Sequence, residues 1–136
     1  MSTTREDGTK TEIEAVRVLL VEDYPDTREM YDEYLRACGF DVLVGTNGID
    51  ALKLALEADP DVIVMDLSLP VMDGWEASRR LKADPRTAGI PVIALSGHAL
   101  AGVSEGAKKA GCNAFLTKPC DPQDLVAEIR TILEGR

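Results

Sequence analysis

Short apolar runs alternate along the chain with longer stretches of helical period, and this alternation limits the fold more than any other feature. The runs are Val16 to Val21 (VRVLLV), Val42 to Val44, Val62 to Met65 (VIVM), Pro91 to Leu95 (PVIAL) and Ala114 to Leu116. Each is too short for a helix, and strands separated by helices pair in parallel because each crossover returns the chain to the same end of the sheet. Runs that are mostly apolar throughout fit strands covered on both faces, which makes the third and fourth central. A length of 136 residues suits one domain, and fractions of 45% hydrophobic and 29% charged residues are those of an ordinary globular chain. Collagen-like, disulfide-stapled and wholly disordered classes are excluded on that basis. The expected architecture is α/β, a doubly wound five-stranded parallel sheet.

The intervening segments carry helix signals. The first helix opens near Pro25, turns Met30, Tyr31, Tyr34, Leu35 and Cys38 inward and stops at Gly39. The second follows Asn47 as N-cap, with Leu52, Ala55 and Leu56 inward, and ends before Asp59 and Pro60. A short third follows Gly74, and a fifth has Asp121 as N-cap, Pro122 at its first position and Leu125, Ile129, Ile132 and Leu133 inward. The fourth, His98 to Ala110, holds Gly102 and Gly106, each costing a helix interior about 1 kcal/mol, and is expected to be poorly held. Residues 1–14 are expected to be a polar, disordered tail, with one domain over residues 15–136.

Charge and cysteine usage narrow the partners. Fifteen Lys and Arg against 24 Asp and Glu give a net charge of −9, which repels phosphate backbones and anionic lipid and disfavours nucleic acid and membranes as partners. No stretch approaches the roughly 18 apolar residues of a spanning helix, and the N-terminus lacks the apolar segment of a signal peptide. Cys38, Cys112 and Cys120 form neither a CxxC nor a zinc spacing, as expected of reduced thiols in a cytoplasmic protein, and Cys112 and Cys120 are expected to be inert or partly exposed thiols rather than redox sensors.

Ligands of an open parallel sheet bind beyond the carboxyl ends of its strands. At those ends stand Glu22 and Asp23, Asp66, Ser96, and Thr117, Lys118 and Pro119. Like charges about 4 Å apart repel by on the order of 4 kcal/mol at an effective dielectric of about 20, so three acids at one site demand positive charge. Lys118 neutralises part of it, and a hard divalent cation such as Mg2+, held by Glu22, Asp23 and Asp66 directly or through water, suits the rest. A carboxylate beside Mg2+ and Lys is also a nucleophile toward phosphorus, and Asp66, ending a central strand, is the candidate. Ser96 is placed to hydrogen-bond a phosphoryl oxygen and Lys118 to pair with another.

From Val16 to Leu133 the chain resembles the receiver domain of two-component response regulators. The resemblance lies in VLLVEDYPD, VIVMDLSLPVMDG, IALSGHA and FLTKPC, with Pro70 and Gly74 shaping the loop after Asp66. It implies the flavodoxin-like (βα)5 fold with strand order 2-1-3-4-5. It also implies that Asp23 and Asp66 ligate Mg2+ with the backbone carbonyl of Ser68, and that Glu22 acts mainly through water. Asp66 would accept a phosphoryl group from a histidine kinase or histidine phosphotransfer protein, Ser96 would move toward it, and Phe115 would swing inward behind. The face of the fourth helix, fifth strand and fifth helix would then bind a downstream protein target differently, the chain being a monomer or weak dimer on activation. Phe115 stands where many members carry Tyr, and the Lys118–Pro119 bond is expected to be cis. Such a protein is no enzyme on an external substrate; it catalyses only its own phosphorylation and dephosphorylation.

Other readings meet specific residues. An aspartyl phosphatase needs a second acid two residues after the nucleophile, where this chain has Ser68. A nucleotide or flavin module needs a Gly-rich or hydroxyl-rich cradle where Glu22, Asp23 and Tyr24 stand. A phosphate-independent scaffold with a vestigial site, or a receiver fragment of a larger hybrid kinase or regulator, would share every motif; the reading adopted is a stand-alone receiver. His98 is expected to be an exposed helix-start residue, and Trp75 a packing residue.

Overall fold

The computed structural model describes residues 15–97 and 102–135, so the N-terminal tail and His98 lie outside the described residues. Strands and helices alternate as expected: β1 (Arg17–Val21), α1 (Pro25–Ala37), β2 (Asp41–Gly45), α2 (Gly48–Ala58), β3 (Val62–Asp66), α3 (Gly74–Ala83), β4 (Val92–Ser96), α4 (Val103–Lys109), β5 (Ala114–Thr117) and α5 (Pro122–Glu134). The strands form one parallel sheet in the order β2-β1-β3-β4-β5. Both β3 and β4 are buried along their whole length, as their unbroken apolar runs require, and β1 joins them in the interior.

Strand alternation divides the core. Leu19, Val21, Ile63, Met65 and Ala94 face a cluster completed by Ala51, Ala55, Ala77, Leu81 and Ala107 of α2, α3 and α4. Val18, Leu20, Val64, Ile93 and Leu95 face the other, with Tyr31 and Leu35 of α1 and Leu125, Val126 and Ile129 of α5. Successive strand residues point to opposite faces, so each strand feeds both layers.

Several inward assignments need correction. On α1 only Tyr31 and Leu35 are buried, whereas Met30 and Tyr34 are exposed and Cys38 is half-buried. Tyr31 and Leu35 are four residues apart and share one face, so residues one place earlier turn away around the helix. On α2 the buried contacts are Ala51 and Ala55, Leu52 packs only at the edge, and Leu56 is exposed. Ile132 and Leu133 of α5 are half-buried at the cluster edge. Asn47 caps α2 through its side chain, Oδ1 accepting from the Asp50 amide at 2.8 Å. Asp121 does not cap α5 that way; its carbonyl oxygen accepts from the Asp124 and Leu125 amides. Asp73, not singled out from the sequence, caps α3 through the Glu76 amide at 2.9 Å.

The fourth helix begins at Val103, with Gly102 at its N-cap at φ 89°, a backbone region that favours glycine, so that residue is not in a helix interior. Gly106 has a use as well: a Cβ there would lie 3.0 Å from the ring of Trp75, which packs on this helix from α3. Cys112 is buried, its Sγ lies 3.6 Å from the Ser78 Oγ, and burial pushes its thiol up, away from the reactive thiolate.

Candidate functional site

The site follows from strand register. Val21 pairs with Met65, which sets Glu22 beside Asp66; Ser96 pairs with Thr117, which brings Lys118 to the same edge. The chain leaves β1 toward β2 and returns to β3 on the other side, so the carboxyl ends of β1 and β3 flank the crevice where the winding reverses.

Glu22, Asp23 and Asp66 converge there, each with a carboxylate oxygen within 4.8 Å of the others. Glu22 is fully buried and Asp66 is 5% exposed, while Asp23 faces solvent. The Lys118 ammonium donates to Glu22 Oε1 and, at 2.9 Å, to Asp66 Oδ2. Asp66 Oδ1 accepts from the Ser68 amide at 3.0 Å, so both oxygens of that carboxylate are oriented. Burial, then the hydrogen bond and charge of Asp66, push the Glu22 carboxyl up from 4.5 to about 7 even though Lys118 pulls the other way. Burial alone would lower the Lys118 ammonium, but its hydrogen bonds to Glu22 and Asp66 outweigh this and hold it above its ordinary value. Glu22 is therefore an acid whose ionisation is resisted first by its burial and then by the neighbouring Asp66 carboxylate.

Two supports shape the loop that carries Asp66. Gly74 is enclosed so closely that a Cβ would fall 2.2 Å from the Asp66 carbonyl oxygen, and its amide donates to the Leu67 carbonyl at 3.1 Å. Farther out, the Met72 amide donates to the Pro70 carbonyl at 2.7 Å, closing a γ-turn on Val71 at φ 67°. Ser96 is buried at the end of β4, and its carbonyl oxygen accepts from the Lys118 amide at 2.7 Å. Phe115 lies half-buried against the cluster that includes Ala94 and Ala107, and the Lys118–Pro119 bond is cis as expected. Ser68 is exposed beside Asp66, so every candidate residue lies at the site or, like Phe115, on the strand leading to it.

Two residues at the site escaped the sequence. Arg28 donates from Nη1 to the Glu22 and Asp23 carbonyl oxygens at 3.1 and 3.2 Å, tying α1 to the acidic turn. Its signal is a cation in an acidic first helix, too weak to assign. Tyr31 reads as core, yet its hydroxyl donates to the Cys120 carbonyl oxygen at 2.8 Å, in the loop that carries Lys118. A buried tyrosine hydroxyl requires a partner, but a partner 89 residues away has no local signature.

The donor set fits a hard cation. Three carboxylates face one ammonium, and two of the three acids are withdrawn from water. Oxygen donors with excess negative charge are what Mg2+ selects.

A doubly wound parallel sheet whose switch point gathers three acids and a lysine defines a receiver-type signalling domain. Residues 18–130 match the response regulator receiver domain, and the chain belongs to that family. It is 34% identical over 116 residues to the polar-differentiation response regulator DivK of Brucella anthropi, covering 85% of this chain and 94% of that one. It is 35% identical over 119 residues to the DNA-binding dual master transcriptional regulator RpaA of a Synechocystis species, covering 86% of this chain but 48% of RpaA. Among solved structures, the receiver domain of the sensor histidine kinase PA1611 from Pseudomonas aeruginosa, with a magnesium ion coordinated in its active-site cleft, superposes with a TM-score of 0.82 at 34% identity. That match covers 88% of this chain and 98% of the other. The chemotaxis response regulator CheY4 of Vibrio cholerae gives 0.81 at 27% identity over 87% and 98%.

Proposed function

We propose that the protein is a phosphoacceptor switch, taking a phosphoryl group on Asp66 from a histidine kinase or histidine phosphotransfer protein, with Mg2+ bound. One observation carries the reading: the nearly buried Asp66 carboxylate is held by Lys118 and the Ser68 amide within 4.8 Å of two further acids. Glu22, Asp23 and Asp66, with the Ser68 backbone carbonyl, would hold the metal, which supplies charge neutralisation for the phosphoryl oxygens.

An Asp66 carboxylate oxygen attacks phosphorus, the bond from phosphorus to the donor imidazole nitrogen breaks, and that nitrogen keeps the electron pair. Lys118 pairs with a phosphoryl oxygen, and the Ser96 hydroxyl bonds another. Lys118 then shares its charge between Glu22 and the new group, and Phe115 follows Ser96 inward. This alters the face made by α4, β5 and α5, where a downstream protein binds. The net charge of −9 supports protein partners over nucleic acid or anionic membrane. No helix among the described residues is long and apolar enough to cross a membrane. We place the protein in the cytoplasm, with residues 15–136 as one receiver domain and no external substrate turned over.

Incubation with Mg2+ and acetyl phosphate, read by intact mass, tests the reading. One hydroxylamine-labile phosphoryl group is expected in the wild type, and none in Asp66→Asn or after chelation. If none forms in the wild type, even with histidine kinases as donors, the phosphate-independent scaffold replaces the switch.

A further inference from the structure

Lys118 must place one ammonium against both Glu22 and Asp66, and it does so from a surface loop between β5 and α5. That loop is pinned on both sides. The Lys118 amide donates to the Ser96 carbonyl at 2.7 Å, and two residues on, the Cys120 carbonyl accepts from the Tyr31 hydroxyl at 2.8 Å. Tyr31 is 2% exposed, in the same cluster as Val18, Leu20, Leu35 and Leu125, with Cys120 packed against it. Its ring is held by α1 and the sheet, so the hydroxyl is a fixed point and the loop is what it fixes. Burial keeps the phenol above its ordinary value and hence a neutral donor. Across the switch point, α1 is also tied to the acidic turn through Arg28. One helix therefore braces the acids and the loop of the lysine that faces them.

We infer that Tyr31 is a positioning residue for phosphoryl transfer, its hydroxyl holding the Cys120 carbonyl so that Lys118 meets the phosphoryl oxygen in register. The inference rests on the phosphoacceptor reading of Asp66. A phosphoryl group stabilised by one ammonium is sensitive to displacements of a fraction of an ångström, and a loop released at one of its two pins lets that ammonium wander.

The experiment compares wild type with Tyr31→Phe, which deletes only the hydroxyl, and with Tyr34→Phe on the exposed side of α1 as control. Phosphorylation by acetyl phosphate is followed over a range of donor concentrations at a temperature where all three are folded, and Mg2+ affinity is measured by calorimetry. Tyr31→Phe is expected to lower the saturating rate about fivefold, the factor one neutral hydrogen bond carries, with half-saturation and Mg2+ affinity unchanged. A purely structural role would lower the unfolding midpoint and leave the saturating rate alone. An unchanged saturating rate in Tyr31→Phe overturns the inference, and so does an equal slowing when the same change is made in a Lys118→Ala background. A wild type that takes up no phosphoryl group removes the proposed function and this inference with it; a phosphorylated wild type matched by Tyr31→Phe removes the inference alone.

Discussion

Replacing Lys118 by Met keeps an unbranched side chain out to Cε and deletes the ammonium bonded to Glu22 and Asp66. The consequence depends on pH because Glu22 can escape the lost pairing by holding a proton. Its folded-state value, about 7, already stands above the 4.5 of a free glutamate, so the folded protein takes up a proton that the unfolded chain releases. The stability tied to that proton is fully present below about 4.5 and is lost as pH rises through the folded value. In the wild type the loss ends a little above about 7, where Glu22 is ionised in both states. In Lys118→Met the folded value rises further, and the loss continues at up to about 1.4 kcal/mol per pH unit. Lys118 is 22% exposed and water reaches the gap, so the full slope does not develop. The variant should lose on the order of 1–2 kcal/mol more than the wild type between about pH 6 and about pH 8. Urea unfolding of both proteins at the two pH values gives the difference directly, and added Mg2+ should narrow it by replacing the missing charge. A gap of the same size at both pH values would refute the assignment of Glu22 as the group that answers for Lys118.

Three further outcomes rest on packing. Gly74→Ala puts a methyl 2.2 Å from the Asp66 carbonyl oxygen and 2.8 Å from the Leu67 Cα, so the loop has to move. It should cost roughly 2–3 kcal/mol in chemical denaturation and slow acyl phosphate formation. Val71→Asn relieves a β-branched residue from φ 67° at an 84% exposed position, and should stabilise the fold by about 1 kcal/mol in a thermal melt, while phosphorylation by acetyl phosphate stays unchanged. Gly106→Ala sets about 1 kcal/mol of helix propensity against a methyl 3.0 Å from the Trp75 ring. The half-buried indole can shift, so the net change in stability should stay below about 1 kcal/mol while Trp75 fluorescence moves.

The strand ends were legible because a parallel sheet with helical crossovers delivers every carboxyl end to one edge. Glu22, Asp23, Asp66, Ser96 and Lys118 each stand at or just past the end of an apolar run, and that position alone assigned them to one site before any geometry. Helix faces were read less well. Met30, Tyr34 and Leu56 are as apolar as their buried neighbours, and only the angle at which each helix meets the sheet decides that Tyr31, Leu35, Ala51 and Ala55 go in.

Local chemistry, written in consecutive residues, determined the strands, the Asn47 cap, the acidic turn after β1 and the carboxylate at the end of β3. Tertiary structure alone decided that one Lys118 ammonium bonds both Glu22 and Asp66, and it alone decided the raised Glu22 carboxyl, the Arg28 tie and the Tyr31 hydroxyl on the Cys120 carbonyl. The physical reason is range. Apolar periodicity and capping act within a few residues, whereas charge, burial and hydrogen bonding act between whatever residues the fold brings within a few ångströms, here 96 positions apart for Glu22 and Lys118.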